Sequence, residues 1–133
     1  MKTDGMTPRQ IVDTANRLMV EKRGLEAIRD YFAPDYVDHN PGTPGGNLEG
    51  LLQTLRDMGF TEEAPNDRVF ELTVHHLIAE NDLVLVHQQI AEAGNPTMMF
   101  MDLFRVRDGL IVEHWDVIQN VPDDPVNKAV PMA

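Results

Sequence analysis

The chain contains no cysteine, which excludes disulfides, thiolate nucleophiles and Cys-ligated zinc. Basic residues are scarce: 11 Lys and Arg stand against 22 Asp and Glu, a formal charge of −11. A surface that negative repels phosphate backbones and anionic headgroups, so nucleic acid and membrane surfaces are not expected partners. No apolar run approaches the length of a transmembrane helix, and Met1 to Thr7 lacks a signal-peptide core. These absences point to a soluble, cytoplasmic protein. Internal repeats, low-complexity tracts and linkers are also missing. With 133 residues, 42% hydrophobic and 25% charged, the composition is globular. One domain over residues 1–133 is expected, with room for a single core and a small pocket.

The first half reads as helices. Thr7-Pro8-Arg9-Gln10 combines a cap, a proline at the first helical position and a capping-box glutamine. Ile11, Val12, Ala15, Leu18 and Met19 then form one stripe, ended by Gly24. A short second helix places Leu25, Ile28 and Phe32 inward and stops at Pro34. Tyr36 to Asn40 reads as extended, and Pro41 to Gly46 as a loop able to cover a pocket entrance. Asn47 caps a third helix carrying Leu48, Leu51, Leu52, Leu55 and Met58.

The second half changes period. Val69–Ala79, Leu83–Ala93, Thr97–Arg107 and Leu110–Asn120 are strand-like and separated by Asn81-Asp82, Gly94-Asn95 and Asp108-Gly109. The layout is α+β: a curved antiparallel sheet against three N-terminal helices. Turn length predicts who faces whom. A two-residue Asn81-Asp82 turn sets His76 opposite His87, and a two-residue Gly94-Asn95 turn sets His87 opposite Asp102. A two-residue turn at Asp108-Gly109 sets Asp102 opposite Trp115; a three-residue loop, Arg107 to Gly109, sets it opposite His114. The second is preferred because it gathers Met99, Met101, Leu103, Trp115 and Val117 on one face. The other face then carries His76, His87, Asp102, His114 and Asp116 among Phe70, Leu72, Leu85, Phe100, Phe104 and Ile118. Titratable groups among apolar walls mark a candidate site.

Tyr36-Val-Asp-His-Asn-Pro41, Phe100-Met-Asp-Leu-Phe-Arg105, and Asp108-Gly-Leu-Ile-Val-Glu-His-Trp-Asp116 with Gln119 resemble the SnoaL-like polyketide cyclases. That family lies in the nuclear transport factor 2-like (cystatin-like) superfamily, alongside ketosteroid isomerase and limonene-epoxide hydrolase. The resemblance implies a cone-shaped sheet around a pocket and a homodimer, here placed through Met99, Met101, Leu103, Trp115 and Val117. It also implies that an aspartate on the last strand, matching Asp116, is the general acid/base of an aldol ring closure. The assisting histidine of those cyclases falls at Asp102 here, a departure from the pattern.

An aldol step needs a base for an acidic carbon and a donor for the enolate oxygen, and no cofactor. Asp116, Asp102 and His114 are the candidate catalytic residues, one carboxylate as base and the other, protonated, as donor. Tyr36, His39, Asn40, His87, Phe100 and Phe104 are candidate contacts for a small hydrophobic carbonyl substrate. Three alternatives stand beside this reading. Epoxide hydrolysis normally adds a pocket arginine, and Arg105 is out of phase with Asp102. A non-catalytic binding domain needs only the pocket. A metal site can draw on four histidines and two aspartates, but no short spaced ligand motif is present.

Overall fold

Three helices cover one face of a five-stranded sheet in the computed structural model, which describes residues 1–21, 24–62 and 68–133. Helix α1 spans Pro8–Val20, and its start follows the local chemistry. Thr7 Oγ1 accepts from the Gln10 N–H at 3.2 Å, and Gln10 Oε1 accepts from the Thr7 N–H at 2.9 Å. Helix α2 is Glu26–Tyr31, and β1, Phe32–Asp38, follows without a loop. Phe32 and Pro34 therefore belong to a strand, where a helix end was expected. Pro34 is tolerated because β1 is an edge strand. Helix α3, Leu48–Asp57, is capped by Asn47, whose Oδ1 accepts from the Gly50 N–H at 2.9 Å.

The strands are β2 (Glu71–Glu80), β3 (Leu83–Ala91), β4 (Met98–Arg107) and β5 (Leu110–Asn120). Their order is β1-β5-β4-β3-β2. Strands β2 to β5 form the expected antiparallel meander, while β1 joins β5 in parallel, so the sheet is mixed and unclosed. One face packs on the helices: Val84, Val86, Phe104, Val106 and Ile111 meet Ile11, Val12, Ala15, Leu25 and Ile28, all buried. This is the concave face; the opposite one is convex.

Two hairpins depart from the expected registers. Between β3 and β4 the Asn95 N–H bonds the Glu92 carbonyl at 3.1 Å, which makes a longer turn than Gly94-Asn95 alone. The pairing moves by one residue: His87 faces Met101, and Asp102 faces Val86. A one-residue slip reverses faces, so His87 lies on the convex side, as does its partner His76. The expected row from His76 to His114 is thus split. Between β4 and β5 the turn has two residues, Asp108 and Gly109, both with positive φ (51° and 78°). That turn alone would put Asp102 and Asp116 on opposite faces. A bulge follows at once: Val106 faces Ile111 but Arg105 faces Glu113. It restores the expected sidedness, and Asp102 pairs with Asp116 itself. Met99, Met101, Leu103, Trp115 and Val117 gather on the convex face as expected.

Candidate active site

Strand β1 contributes every second residue. Its parallel register pairs Asp38 with His114 and Val37 with Glu113. Tyr36, Asp38 and Asn40 therefore project inward, and Val37 and His39 outward. The Pro41–Gly46 loop positions Asn40. Thr43 N–H bonds the Asn40 carbonyl at 3.1 Å, and Gly46 N–H bonds the Thr43 carbonyl at 3.0 Å. Helix α3 closes on this loop at Gly50, where a Cβ would lie 1.7 Å from the Pro44 carbonyl oxygen.

His114 is the hub. Its Nδ1 lies 3.2 Å from Asp38 Oδ1 and its Nε2 2.8 Å from Asp102 Oδ1. Both nitrogens face carboxylate oxygens, which only accept. Between two ionised carboxylates a neutral ring would aim one lone pair at another, so the arrangement favours an imidazolium. Burial opposes that charge, but hydrogen bonds to Asp102 and Asp38, and their charges, raise the His114 pKa to about 9. Phe104 stacks on the ring at 4.6 Å and shields it.

Asp38 is enclosed, with a side chain 2% exposed. Burial opposes its ionisation. The hydrogen bond from His114, the Asn40 N–H at 2.9 Å and the Tyr36 hydroxyl at 2.7 Å overcome this and hold its pKa below the ordinary value. Burial and the neighbouring Asp38 charge keep the Tyr36 phenol protonated, so its hydroxyl is a permanent donor.

Both Asp102 oxygens are taken. Oδ1 accepts from His114, and Oδ2 accepts from Gln88 Nε2 at 2.8 Å. Gln88 exchanges two further bonds with Asn16 of α1, at 2.7 and 3.0 Å. With both oxygens engaged, Asp102 is the more committed of the two carboxylates. Asp116 is the less committed carboxylate. Asn40 Nδ2 donates to its two oxygens at 2.9 and 3.0 Å, and His114 Nε2 is 3.9 Å away. Its side chain is only 7% exposed. Burial raises its pKa above the ordinary value, and the charges of Asp102 and Asp38 add to the rise against Asn40 and His114. Asn40 cannot turn over, because its Oδ1 accepts from the Gly42 N–H at 2.7 Å.

The expected residues thus divide. Tyr36, Asn40, Asp102, His114 and Asp116 share one hydrogen-bonded group with Phe104 against it, and Phe100 sits on the next rung, opposite Ile118. His39 is outside: its ring stacks on Trp115 at 4.9 Å and meets Glu113 Oε2 at 2.8 Å. His87 is outside too, for the register reason above. Asp38, Gln88 and Asn16 were missed. Alternation from Tyr36 to Asn40 pointed to Asp38, and Asn16 stands four residues after Val12 on the apolar stripe of α1. Gln88 required the correct β3 register.

A pocket of about 270 Å³ opens on the same face, lined by Met58, Phe70, Ile90, Met98 and Asn120 with Arg68 and Glu92 at its edge. Met98 is four residues from Asp102, roughly 13 Å along the strand, and the Phe100/Ile118 rung lies between. Asp102, His114 and Asp116 also offer ligand atoms within 4.8 Å of one another. A cation there would have to displace the His114 proton that now binds Asp102. Arg105, out of phase with Asp102 as expected, pairs with Asp82 and Glu113. Among the described residues no helix is long and apolar enough to cross a membrane.

Known proteins agree with this architecture. No curated protein matches the chain by sequence. Among solved structures, the chain is similar to wild-type IdmH of Streptomyces antibioticus, a candidate polyketide cyclase, with 26% identity and TM-score 0.64 over 84% of this chain and 91% of that one. A candidate ketosteroid isomerase of Kribbella flavida shares the fold at 18% identity and TM-score 0.66, over 92% of this chain and 84% of that one. An LEH-like epoxide hydrolase of M. tuberculosis shares it at 20% identity and TM-score 0.62, over 84% and 82%. The profile of the SnoaL-like domain matches residues 12–114. With helices, sheet and sequence profile in accord, the chain belongs to the SnoaL-like domain family, of the nuclear transport factor 2-like fold.

Proposed function

We propose that this protein is an enzyme of cofactor-free carbon-acid chemistry, of aldol, cyclase or isomerase type, acting on a small hydrophobic carbonyl compound. The observation that carries the reading is the Asp102–Asp116 rung: two paired carboxylates, each side chain 7% exposed, with the His114 imidazolium against them. Asp116 is the base. Its raised pKa brings its proton affinity nearer to that of an activated carbon acid. It takes the α-proton, and the electron pair moves onto the carbonyl oxygen. Asn40 Nδ2 donates to both Asp116 oxygens in the resting site; once Asp116 has taken the proton, one of these bonds is released and passes to the enolate oxygen. His114 stays charged throughout and offsets the negative charge that passes from Asp116 to the substrate. Asp102 and Asp38 hold that imidazolium in place. The substrate lies along the apolar rungs from Met98 past Phe100 and Ile118 to Asp116, which favours an aliphatic or aromatic body without charge.

The test is deuterium exchange at the α-carbon of a panel of apolar ketones and β-dicarbonyls, followed by NMR. Asp116→Asn should lower the exchange about 10²- to 10⁴-fold, the usual contribution of a positioned base. An unchanged rate in this variant removes Asp116 from the mechanism. Binding of these compounds with no exchange in the unmodified protein would instead support a non-catalytic binding domain.

A further inference from the structure

Two amides lie where apolar packing is the rule, between α1 and the sheet. Asn16 stands on the buried stripe of α1, one turn after Val12, and is 8% exposed. Gln88 of β3 meets it across the core and is 3% exposed. Val84 and Val86, on the same side of β3, are wholly buried in the apolar core. The amides pair reciprocally. Asn16 Nδ2 donates to Gln88 Oε1 at 2.7 Å, and Gln88 Nε2 donates to Asn16 Oδ1 at 3.0 Å. Gln88 keeps one further N–H, which donates to Asp102 Oδ2 at 2.8 Å. Two aliphatic side chains would fill this space without taking two amides out of water, so packing alone does not account for them.

We propose that Gln88 is a positioning residue of the carboxylate site and that Asn16 sets the direction of its amide. A free glutamine side chain can present either end of that group. Turning Gln88 alone would set its oxygen against both Asn16 Oδ1 and Asp102 Oδ2, so its two donor contacts would become repulsions. Turning both amides together keeps their mutual bonds but still sets an oxygen against the Asp102 carboxylate. Anchored at Oδ2, Asp102 keeps Oδ1 on His114 Nε2 at 2.8 Å and is held from rotating towards Asp116, its neighbour on β5. A line of bonds therefore runs from α1 through Gln88 and Asp102 to the His114 ring, whose other nitrogen is held by Asp38. The bonds of both amides end at Asp102, and neither reaches Asp116 or Asn40. The inference rests on the reading of Asp116 as the base: the amides act on rate only through Asp102 and the charge of His114.

The experiment uses the full chain as Gln88→Leu, Asn16→Leu and the double variant. It follows α-deuterium exchange on the ketone and β-dicarbonyl panel, the His114 titration by its Hε1 resonance, and urea unfolding. Each single variant strands one buried amide and should lose stability; the double variant removes both amides and should recover part of that loss. In Gln88→Leu, kcat for exchange should fall about 10-fold with KM little changed, as for a lost hydrogen bond to a charged group. The double variant should be as slow as Gln88→Leu despite its recovered stability. The His114 midpoint, about 9 in the unmodified protein, should fall by up to about one pH unit as the bond from Asp102 loosens, while Asp38 and Asp116 remain in place. A double variant that regains exchange together with stability overturns the proposal, because the amides are then structural. A His114 midpoint that stays at about 9 in every variant overturns it too. Exchange lost in Asp116→Asn but kept in Gln88→Leu leaves the acid–base reading standing and overturns the positioning role. Absence of exchange in the unmodified protein removes that reading instead, and the His114 midpoint then decides the role of the amides by itself.

Discussion

Two imidazoles on opposite faces of one sheet, His114 and His87, have pKa values shifted in opposite directions. On the concave side His114 is enclosed between two carboxylates and its pKa rises to about 9. On the convex side the charged influences on His87 are the imidazoles of His76 and His75, and its pKa falls below the ordinary value. Burial pushes both downward. The partner decides: carboxylates at 2.8 and 3.2 Å overcome the loss of water, whereas a second imidazole at 3.0 Å adds to it. The concave site therefore holds a charged ring away from water, whereas the surroundings of His87 favour its neutral form.

The largest way to break this comparison is to remove one ring from each side. His114→Leu leaves Asp38 and Asp102 as buried carboxylates without their counter-charge, and should destabilise by about 3–5 kcal/mol. His87→Leu should change stability by less than about 0.5 kcal/mol, because its site is part-exposed and holds no opposite charge. Urea unfolding at pH 7 measures both. Equal effects would mean that the carboxylates find other partners when His114 is lost.

The pH dependence sharpens the contrast. His114 has a folded pKa of about 9 against an ordinary value of 6.5. Its stabilisation is complete below pH 6.5 and lost as pH rises through about 9, roughly 3 kcal/mol in all. Asp38 acts at the other end. Its lowered pKa stabilises above the ordinary carboxylate value and is lost as pH falls through the folded one. Unfolding free energy from pH 3 to 10 should therefore peak on the mildly acidic side of neutrality. In His114→Leu the alkaline loss should vanish, and stability should rise as pH falls and the stranded carboxylates gain protons. An alkaline loss that persists in this variant would assign it to another group.

The smallest expected effect concerns Asn40. Asn40→Ala removes the donor from both Asp116 oxygens, so the Asp116 pKa should rise further. The acid limb of the rate profile for α-deuterium exchange should move upward by up to about one pH unit. A limb that does not move would detach that ionisation from Asp116.

Local chemistry alone determined a good part of this protein. The Thr7 and Asn47 caps, the amphipathic stripes of α1 and α3, and the composition of four strands each depend on neighbours a few residues away. All were legible, as was the gathering of Asp102, His114 and Asp116. Even there the outcome needed two compensating features. A two-residue turn at Asp108-Gly109 and a bulge beside it give the same sidedness as the expected three-residue loop. Asp38 was readable from strand alternation between Tyr36 and Asn40. His87 was not placed correctly, because one extra residue in the turn before β4 turns every side chain of β3 over relative to β4. The convex histidines depend in the same way on the bulge at His75. Turn residues announce that a chain reverses, but bulges and registers settle only when whole faces compete for burial. The sheet adopted the alignment that put Val84, Val86 and Ile111 against the helices, and the polar groups on those strands were carried to their places with them.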